Sequence, residues 1–361
     1  MHRPISPKTL KSGKVAVIAC DASPVRGEGR LGRAFLSTKK ISNDDPDVDW
    51  FVLPEKWVSN PPRLIPDYLQ HILTLCWLLA AVIRCRFRQY DEVYLLNYLS
   101  LWNFTIFLFS PKHTTFAPIT GGGPVNKRHL FGSVLLRWKH RFSRNICFPL
   151  LYYFSTKIIY ARSLNCVAAT PFVGAYLHDG EATPFYISCM LGQPLTEGVL
   201  TAAEFDLLVY TTKHSLKNNA MLCKLLPKLA KSGYRCAVID PQNVLSGVKG
   251  NFRHFQKISH EQVLGLISKS RAALVLSLEG AGLFAQEAAL EGRTVFCFPD
   301  TGASALPGAV EIAGRHELPD IDTIIGVIGK HLAQSPNPAY SKQMMKKIAD
   351  ANSFFNFGKH D

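Results

Sequence analysis

Acidic residues are missing from a long stretch of this chain: none falls between Glu92 and Asp179. Over that stretch Lys112, Lys127, Arg128, Arg137, Lys139, Arg141, Arg144, Lys157 and Arg162 are basic, and the net charge of the whole chain is +14. A field of that sign favours nucleic acid, anionic lipid or a phosphorylated substrate. No recognisable nucleic-acid-binding module accompanies the charge, which makes nucleic acid the weakest of the three. The sequence also lacks a C-x-x-C pair. Its nine cysteines (20, 76, 85, 147, 166, 189, 223, 236 and 297) are scattered, most inside apolar runs, which suits buried thiols in a reducing compartment rather than disulfides or zinc. Long hydrophobic runs are absent too. Ile72 to Ile83 is nearly uninterrupted, but it is shorter than the ~20 residues a membrane span needs, and Arg84, Arg86 and Arg88 close it. The opening MHRPISPKTLKSGKVAVIAC has a strand where a signal peptide would need a longer apolar core, so the expectation is cytoplasmic residence. No solenoid-type repeat is visible.

What is present is ordinary for an enzyme, at 47% hydrophobic and 19% charged residues. A length of 361 residues suggests two domains. Aromatic residues are mixed into the basic tract at Trp138, Phe142, Phe148, Tyr152, Tyr153 and Phe154. That mixture suits an interfacial surface; a solvated basic helix beside ordinary core aromatics is the plain alternative.

Residues 271–299, RAALVLSLEGAGLFAQEAALEGRTVFCFP, read as strand, glycine-rich turn, helix and returning strand. Ala272 to Leu278 is the short apolar run of a buried parallel strand, and Gly280, Ala281 and Gly282 leave little bulk at the turn. Ligands of an open α/β sheet bind at the carboxyl edge of its strands, and the N–H groups of a helix start suit a phosphate. Glu279 sits at that edge and Glu287 lies in the helix. Carboxylates repel phosphate, so their natural partners are sugar hydroxyls. Phosphate between sugars describes a nucleotide sugar. The alternative is a buried helix with a surface glutamate at each end.

The pair Glu279 and Glu287, with seven residues between them inside S-L-E-G-A-G-L-F-A-Q-E-A-A-L-E-G, resembles the E-x7-E signature of retaining glycosyltransferases of family 4, which have the GT-B fold. The flanking strand, Gly292 and the return strand Thr294 to Phe298 match as well. By this resemblance Glu279 holds hydroxyls of the donor sugar at the catalytic centre and Glu287 holds the ribose. Donors at Gly280, Ala281 and Gly282, with Lys217, stabilise the leaving diphosphate. The family's phosphate grip has an Arg and a Lys about six apart. Lys217 fits the second position, Thr211 stands at the first, and Lys213 is the candidate substitute.

Two glycine-rich segments extend the resemblance. Phe116 to Pro124, with Thr120, Gly121, Gly122 and Gly123, is similar to a G-P-I-G-G-G-like loop of some family members, although Ala117 and Thr120 replace two glycines. Gly27, Gly29 and Gly32 spell G-x-G-x-x-G, but Gly27 comes seven residues after Cys20, too far from the strand for a dinucleotide fingerprint. A glycine-rich loop facing the cleft is what GT-B similarity implies there; a plain flexible loop is the alternative. Asp45, Asp47 and Asp49 form two overlapping D-x-D triplets, a metal motif in the other large glycosyltransferase fold. Pro46 and neighbouring turn formers argue instead for a loop entering strand Trp50 to Leu53, so no metal and no separate cofactor are expected.

The expected architecture is α/β, GT-B, with two Rossmann-like parallel-sheet domains facing a cleft. Residues 1–195 form the acceptor-binding domain and 204–338 the donor-binding domain, with a linker over 191–203 and a C-terminal helix at about 339–357 crossing back. Smaller expectations are a strand over 157–161, a kink or break at Pro227, and a helix over Ser259 to Ser268 begun by a Ser259/Gln262 capping box. The nucleobase falls to backbone groups around 252–258. His178 beside Asp179 reads as a turn. The implied function is transfer of a sugar, with retention, from a nucleotide sugar to a lipid-linked or oligosaccharide acceptor, as in bacterial surface polysaccharide or lipopolysaccharide assembly. Its place is peripheral, on an anionic inner membrane face, with no nucleic-acid partner. A GT-B-fold nucleotide-sugar epimerase and a non-catalytic basic membrane-surface protein are the competing readings.

Overall fold

The computed structural model describes residues 14–20, 27–42, 45–54, 67–96, 103–119, 129, 131, 138, 142–168, 203–278, 282–333 and 337–356. The chain divides into two compact units, one of residues 1–122, 148–190 and 348–361, the other of residues 123–147 and 191–347.

In the first unit a five-stranded sheet has the order β2-β1-β3-β4-β5, from β1 (Val15–Ala19), β2 (Val48–Val52), β3 (Glu92–Leu96), β4 (Thr114–Ile119) and β5 (Asn165–Ala168). Every pairing is parallel; Val15 faces Val48 on one side and Glu92 on the other. Side chains alternate across a strand, and β1 supplies both cores. Val15, Val17 and Ala19 join Phe35 and Leu36 of α1 (Gly27–Thr38). Ala16, Ile18 and Cys20 join α2 (Asp67–Arg88), α3 (Phe104–Phe109) and α4 (Phe148–Arg162). A sheet covered on both faces needs continuous apolar strands, which is why β1 reads VAVIA.

Three expectations change here. Gly27, Gly29 and Gly32 are not a loop but the first turns of α1, with Gly29 and Gly32 buried and Phe35 and Leu36 following on the packed side. Residues 157–161 are helical, not a strand: Tyr152, Ser155 and Ile159 are buried at helical spacing, and the chain turns at Ser163, whose φ is +51°, before β5 begins. The aspartate triplets form a turn and an edge strand. The Asp47 N–H donates to Asp45 Oδ1 at 3.1 Å, while Asp49 accepts from the Tyr90 hydroxyl and lies 3.9 Å from Arg88 Nη1.

In the second unit a six-stranded sheet has the order β11-β10-β9-β6-β7-β8, from β6 (Phe205–Tyr210), β7 (Cys236–Ile239), β8 (Phe252–Phe255), β9 (Ser270–Val275), β10 (Thr294–Cys297) and β11 (Ala309–Glu311). All its pairings are parallel too. On one face α5 (Asn219–Lys231) and α8 (Ile321–Leu332) pack Leu222, Leu225, Leu226, Ile324 and Ile328 against Leu207, Val209, Ala272 and Leu274. The helices α6 (His260–Ser268) and α7 (Leu283–Leu290) contact β9, and α7 also contacts β10. The chain ends in α9 (Pro338–Asn356). Helix α5 runs on through Pro227, because the flanking Leu225, Leu226 and Leu229 are fully buried and tertiary packing offsets the lost backbone bond. The capping box at α6 forms as expected: Ser259 Oγ accepts from the Gln262 N–H, and the Gln262 side chain accepts from the Ser259 N–H.

Among the described residues no helix is long and apolar enough to cross a membrane. The eight described cysteines are free thiols, and burial pushes those of Cys85, Cys236 and Cys297 up to about 12.

Candidate functional site

In the second sheet the chain lays down β6, β7 and β8 in one direction, then returns to place β9 beside β6. The strand order therefore reverses between β6 and β9. Loops leaving the carboxyl ends of two such strands turn to opposite faces and leave a crevice, the usual ligand site of this architecture. Here those loops are residues 211–218 and 276–282. They are tied together: the Leu278 N–H donates to the Leu216 carbonyl at 2.9 Å.

The loop after β6 carries the two candidate lysines. Lys217 closes a short 3-10 turn, Ser215–Lys217, and its Nζ lies 5.7 Å from the centre of the Tyr210 ring. The Tyr210 ring in turn lies 5.7 Å from that of Phe284, in the first turn of α7. A cation–π contact and an aromatic contact thus lead from the lysine to the helix start. Lys213 is held through its backbone, its N–H donating to Gln242 Oε1. Thr211, at the position of the missing arginine, is fully buried, and its hydroxyl donates to Asn219 Oδ1. It braces the loop and leaves the positive charge to the lysines.

The loop after β9 enters α7 at Gly282, whose backbone is extended, with φ −122° and ψ 106°. A Cβ there would meet Ala285 Cβ at 3.7 Å, ordinary contact, so neither conformation nor space demands glycine. The first N–H groups of α7 have no intrahelical acceptor and carry its positive dipole end. One turn further, Glu287 is buried, and its Oε1 lies 2.8 Å from Nε2 of His260 at the start of α6. The adjacent Gln286 is buried as well, with neither end of its amide hydrogen-bonded. The C-terminal edge of this sheet thus gathers lysine charge, a helix start and a buried carboxylate. Such a set accepts an anion and sugar hydroxyls together.

Glu279, Gly280, Ala281, Thr120, Gly121, Gly122, Gly123, His178 and Asp179 lie outside the described residues, as does linker 191–202. Gly27, Gly29 and Gly32 belong to α1 of the other unit. Among the described residues no group of three or more His, Cys, Asp or Glu side chains could hold a metal. Sequence reasoning missed His260, Tyr210 and Phe284. The capping box located the start of α6, but no spacing relates His260 to a glutamate 27 residues later. Tyr210 and Phe284 carry a signal only in hindsight, as aromatics at a strand end and a helix start.

No family model matches this sequence, and no curated protein matches it. Solved structures do resemble its fold. Sucrose-phosphate synthase from Thermosynechococcus elongatus superposes with a TM-score of 0.57 at 14% identity, covering 95% of this chain and 94% of that one. The α,α-trehalose 6-phosphate synthase from Burkholderia multivorans gives 0.53 at 10% identity, covering 96% and 95%. The UDP-GlcNAc 2-epimerase from Neisseria meningitidis, solved bound to UDP-GlcNAc, gives 0.50 at 13%, covering 95% and 98%. The chain has the GT-B fold, with two parallel Rossmann-like sheets. Identities this low establish the fold alone.

Proposed function

We propose that this protein is a retaining, family-4-like glycosyltransferase that binds a nucleotide sugar at the β6/β9 edge of its second unit. The observation that carries the reading is the convergence at that edge of Lys217, the start of α7 and the buried Glu287. In this reading Lys217, assisted by Lys213 and the α7 N–H groups with Gly280, Ala281 and Gly282, neutralises the diphosphate as it leaves, without a metal. Glu287, oriented by His260, accepts from the ribose hydroxyls. Glu279 accepts from hydroxyls of the transferred sugar. The first unit binds the acceptor, with Thr120 to Gly123 in one of its loops.

A separate observation supports the acceptor and the location in this reading. Leu150, Tyr153, Phe154 and Tyr160 of α4 are exposed, as are Leu108 and Phe109 of α3 and Ile72 and Phe87 of α2. Helices α2 and α4 both pack on α3, so these side chains belong to one helical layer. The layer also carries Arg84, Arg86, Arg88 and Lys157, and from Tyr68 to Tyr90 and from Val93 to His178 the chain has no acidic residue. Apolar and cationic side chains mixed this way suit an anionic membrane surface and a lipid-linked glycan acceptor, as in surface polysaccharide or lipopolysaccharide assembly.

Donor turnover tests the reading. Glu287→Ala should weaken nucleotide-sugar binding, and Glu279→Ala should lower turnover with binding largely retained. Normal hydrolysis and transfer in both variants would overturn the assignment. The fold is shared with an epimerase, so product analysis without added acceptor is the second arm: an epimerised nucleotide sugar replaces transfer by epimerisation as the activity.

A further inference from the structure

One residue beside the lysine grip has a role that neither fold nor motif supplies. Asn218 follows Lys217, is fully buried, and has left-handed backbone angles of φ 53° and ψ 41°. Asparagine and glycine take that conformation at low cost. The amide makes the choice of asparagine specific. Its Nδ2 donates to the Leu276 carbonyl at 2.9 Å and to the His129 carbonyl at 3.0 Å, while its Oδ1 accepts from the Phe131 N–H at 3.0 Å. His129 is itself fixed: its ring stacks on Phe298 at 4.8 Å and 11°, and its Nε2 lies 3.1 Å from the Gly314 carbonyl.

Leu276, Phe298 and Gly314 follow the carboxyl ends of β9, β10 and β11, and Asn218 belongs to the loop after β6. Residues 129 and 131, distant in sequence, therefore form a strap over the ligand-bearing edge of the second sheet. The backbone of Lys217 sits between two anchors, Leu216 bonded to Leu278 and Asn218 bonded to Leu276 and the strap. A flexible ammonium on an untethered loop loses loop entropy when it grips an anion; a tethered loop has lost it already.

We propose that Asn218 is a positioning residue, which clamps the 211–218 loop to the strap so that Lys217 is pre-set to bind the diphosphate of the donor. The proposal rests on the nucleotide-sugar reading above and adds the device that organises its anion grip.

The test uses Asn218→Gly, which keeps the left-handed backbone and removes the amide, with Lys217→Ala and the double variant. The uridine, thymidine, adenosine and guanosine diphosphates are titrated calorimetrically against the full chain, together with their parent nucleosides. For the diphosphate that the wild type binds, Asn218→Gly should weaken affinity about tenfold, with nucleoside affinity within about twofold. The double variant should bind no more weakly than Lys217→Ala, because Asn218 acts through that side chain. Equal losses for diphosphate and nucleoside, no loss, or additive losses would each overturn the proposal. Hydrogen exchange of the 213–217 amides gives a readout without ligand: faster exchange in Asn218→Gly supports the clamp, and unchanged exchange removes it. A wild type that binds no nucleotide refutes the functional reading, and faster exchange would then leave only a structural clamp.

Discussion

The two sheets differ most in what their helices leave uncovered. Over residues 203–347 a single large apolar side chain, Leu318, is exposed among the described residues; the other exposed ones of the second unit, Trp138, Phe142 and Ile146, lie in its 123–147 segment. The unit built on β1 exposes Val52, Ile72, Phe87, Leu108, Phe109, Leu150, Tyr153, Phe154 and Tyr160. Helix α4 shows the contrast within one element. Tyr152, Ser155 and Ile159 enter the core, while Leu150, Tyr153, Phe154 and Tyr160 face outward on the other side. A helix apolar on both sides has a second apolar neighbour to satisfy. The sheet-bearing segment of the second unit is covered; the helices of the first leave an apolar face, which the function proposed above assigns to a partner.

The largest effect should separate a core leucine from an outward one. Leu225 is fully buried and Leu150 is exposed, so Leu225→Ala should cost about 3 kcal/mol and Leu150→Ala less than about 0.5 kcal/mol, read by urea unfolding. Similar costs would mean that the α4 surface is core. Next, replacing Leu150, Tyr153 and Phe154 together by Asp should lower partitioning onto anionic vesicles by about a hundredfold while leaving nucleotide binding intact. Undiminished vesicle binding would remove this face from membrane contact. The unmet amide of Gln286 predicts a smaller gain: Gln286→Leu should raise stability of the free protein by about 1 kcal/mol, and a loss would place an unseen partner on it.

The smallest effect is at the opposite edge of the second sheet. Burial acts to raise the Asp206 carboxyl, but the hydrogen bonds from Arg235 and the charges of Arg235 and Arg271 prevail and hold it below the usual aspartate value. A depressed value stabilises the fold above an ordinary aspartate pKa of about 3.9. That stability is lost as pH falls through the lower folded value. Asp206→Asn should therefore be less stable than wild type at pH 7, and the difference should shrink as pH falls below the ordinary aspartate range, in urea melts over a pH series.

Much of this contrast was legible in the sequence. The run VAVIA announces a buried parallel strand because both of its faces are covered, and Ser259 with Gln262 announced α6 because a capping box is local. Local signals failed where tertiary packing decided. The glycines of α1 looked like a loop until Phe35 and Leu36 found a core, and Lys157 to Ala161 looked like a strand until Tyr152, Ser155 and Ile159 packed on one face. At the candidate site Lys217 and Glu287 were legible through a motif. Their supports were not: His260 meets Glu287 and Asn218 meets His129 only after long loops close, and no one-dimensional spacing encodes such a meeting.

The central claim is that the β6/β9 edge of the second unit holds a nucleotide sugar. Thermal melts of the full chain against a panel of nucleoside diphosphates and nucleotide sugars test it most directly. At about 100 times its dissociation constant, a ligand that binds only the folded state adds about 2.7 kcal/mol. One nucleotide should therefore raise the melting temperature by several degrees, and Lys217→Ala and Glu287→Ala should each diminish the shift. A panel that leaves the wild-type melting temperature unmoved, or a shift that survives both substitutions, would contradict the account.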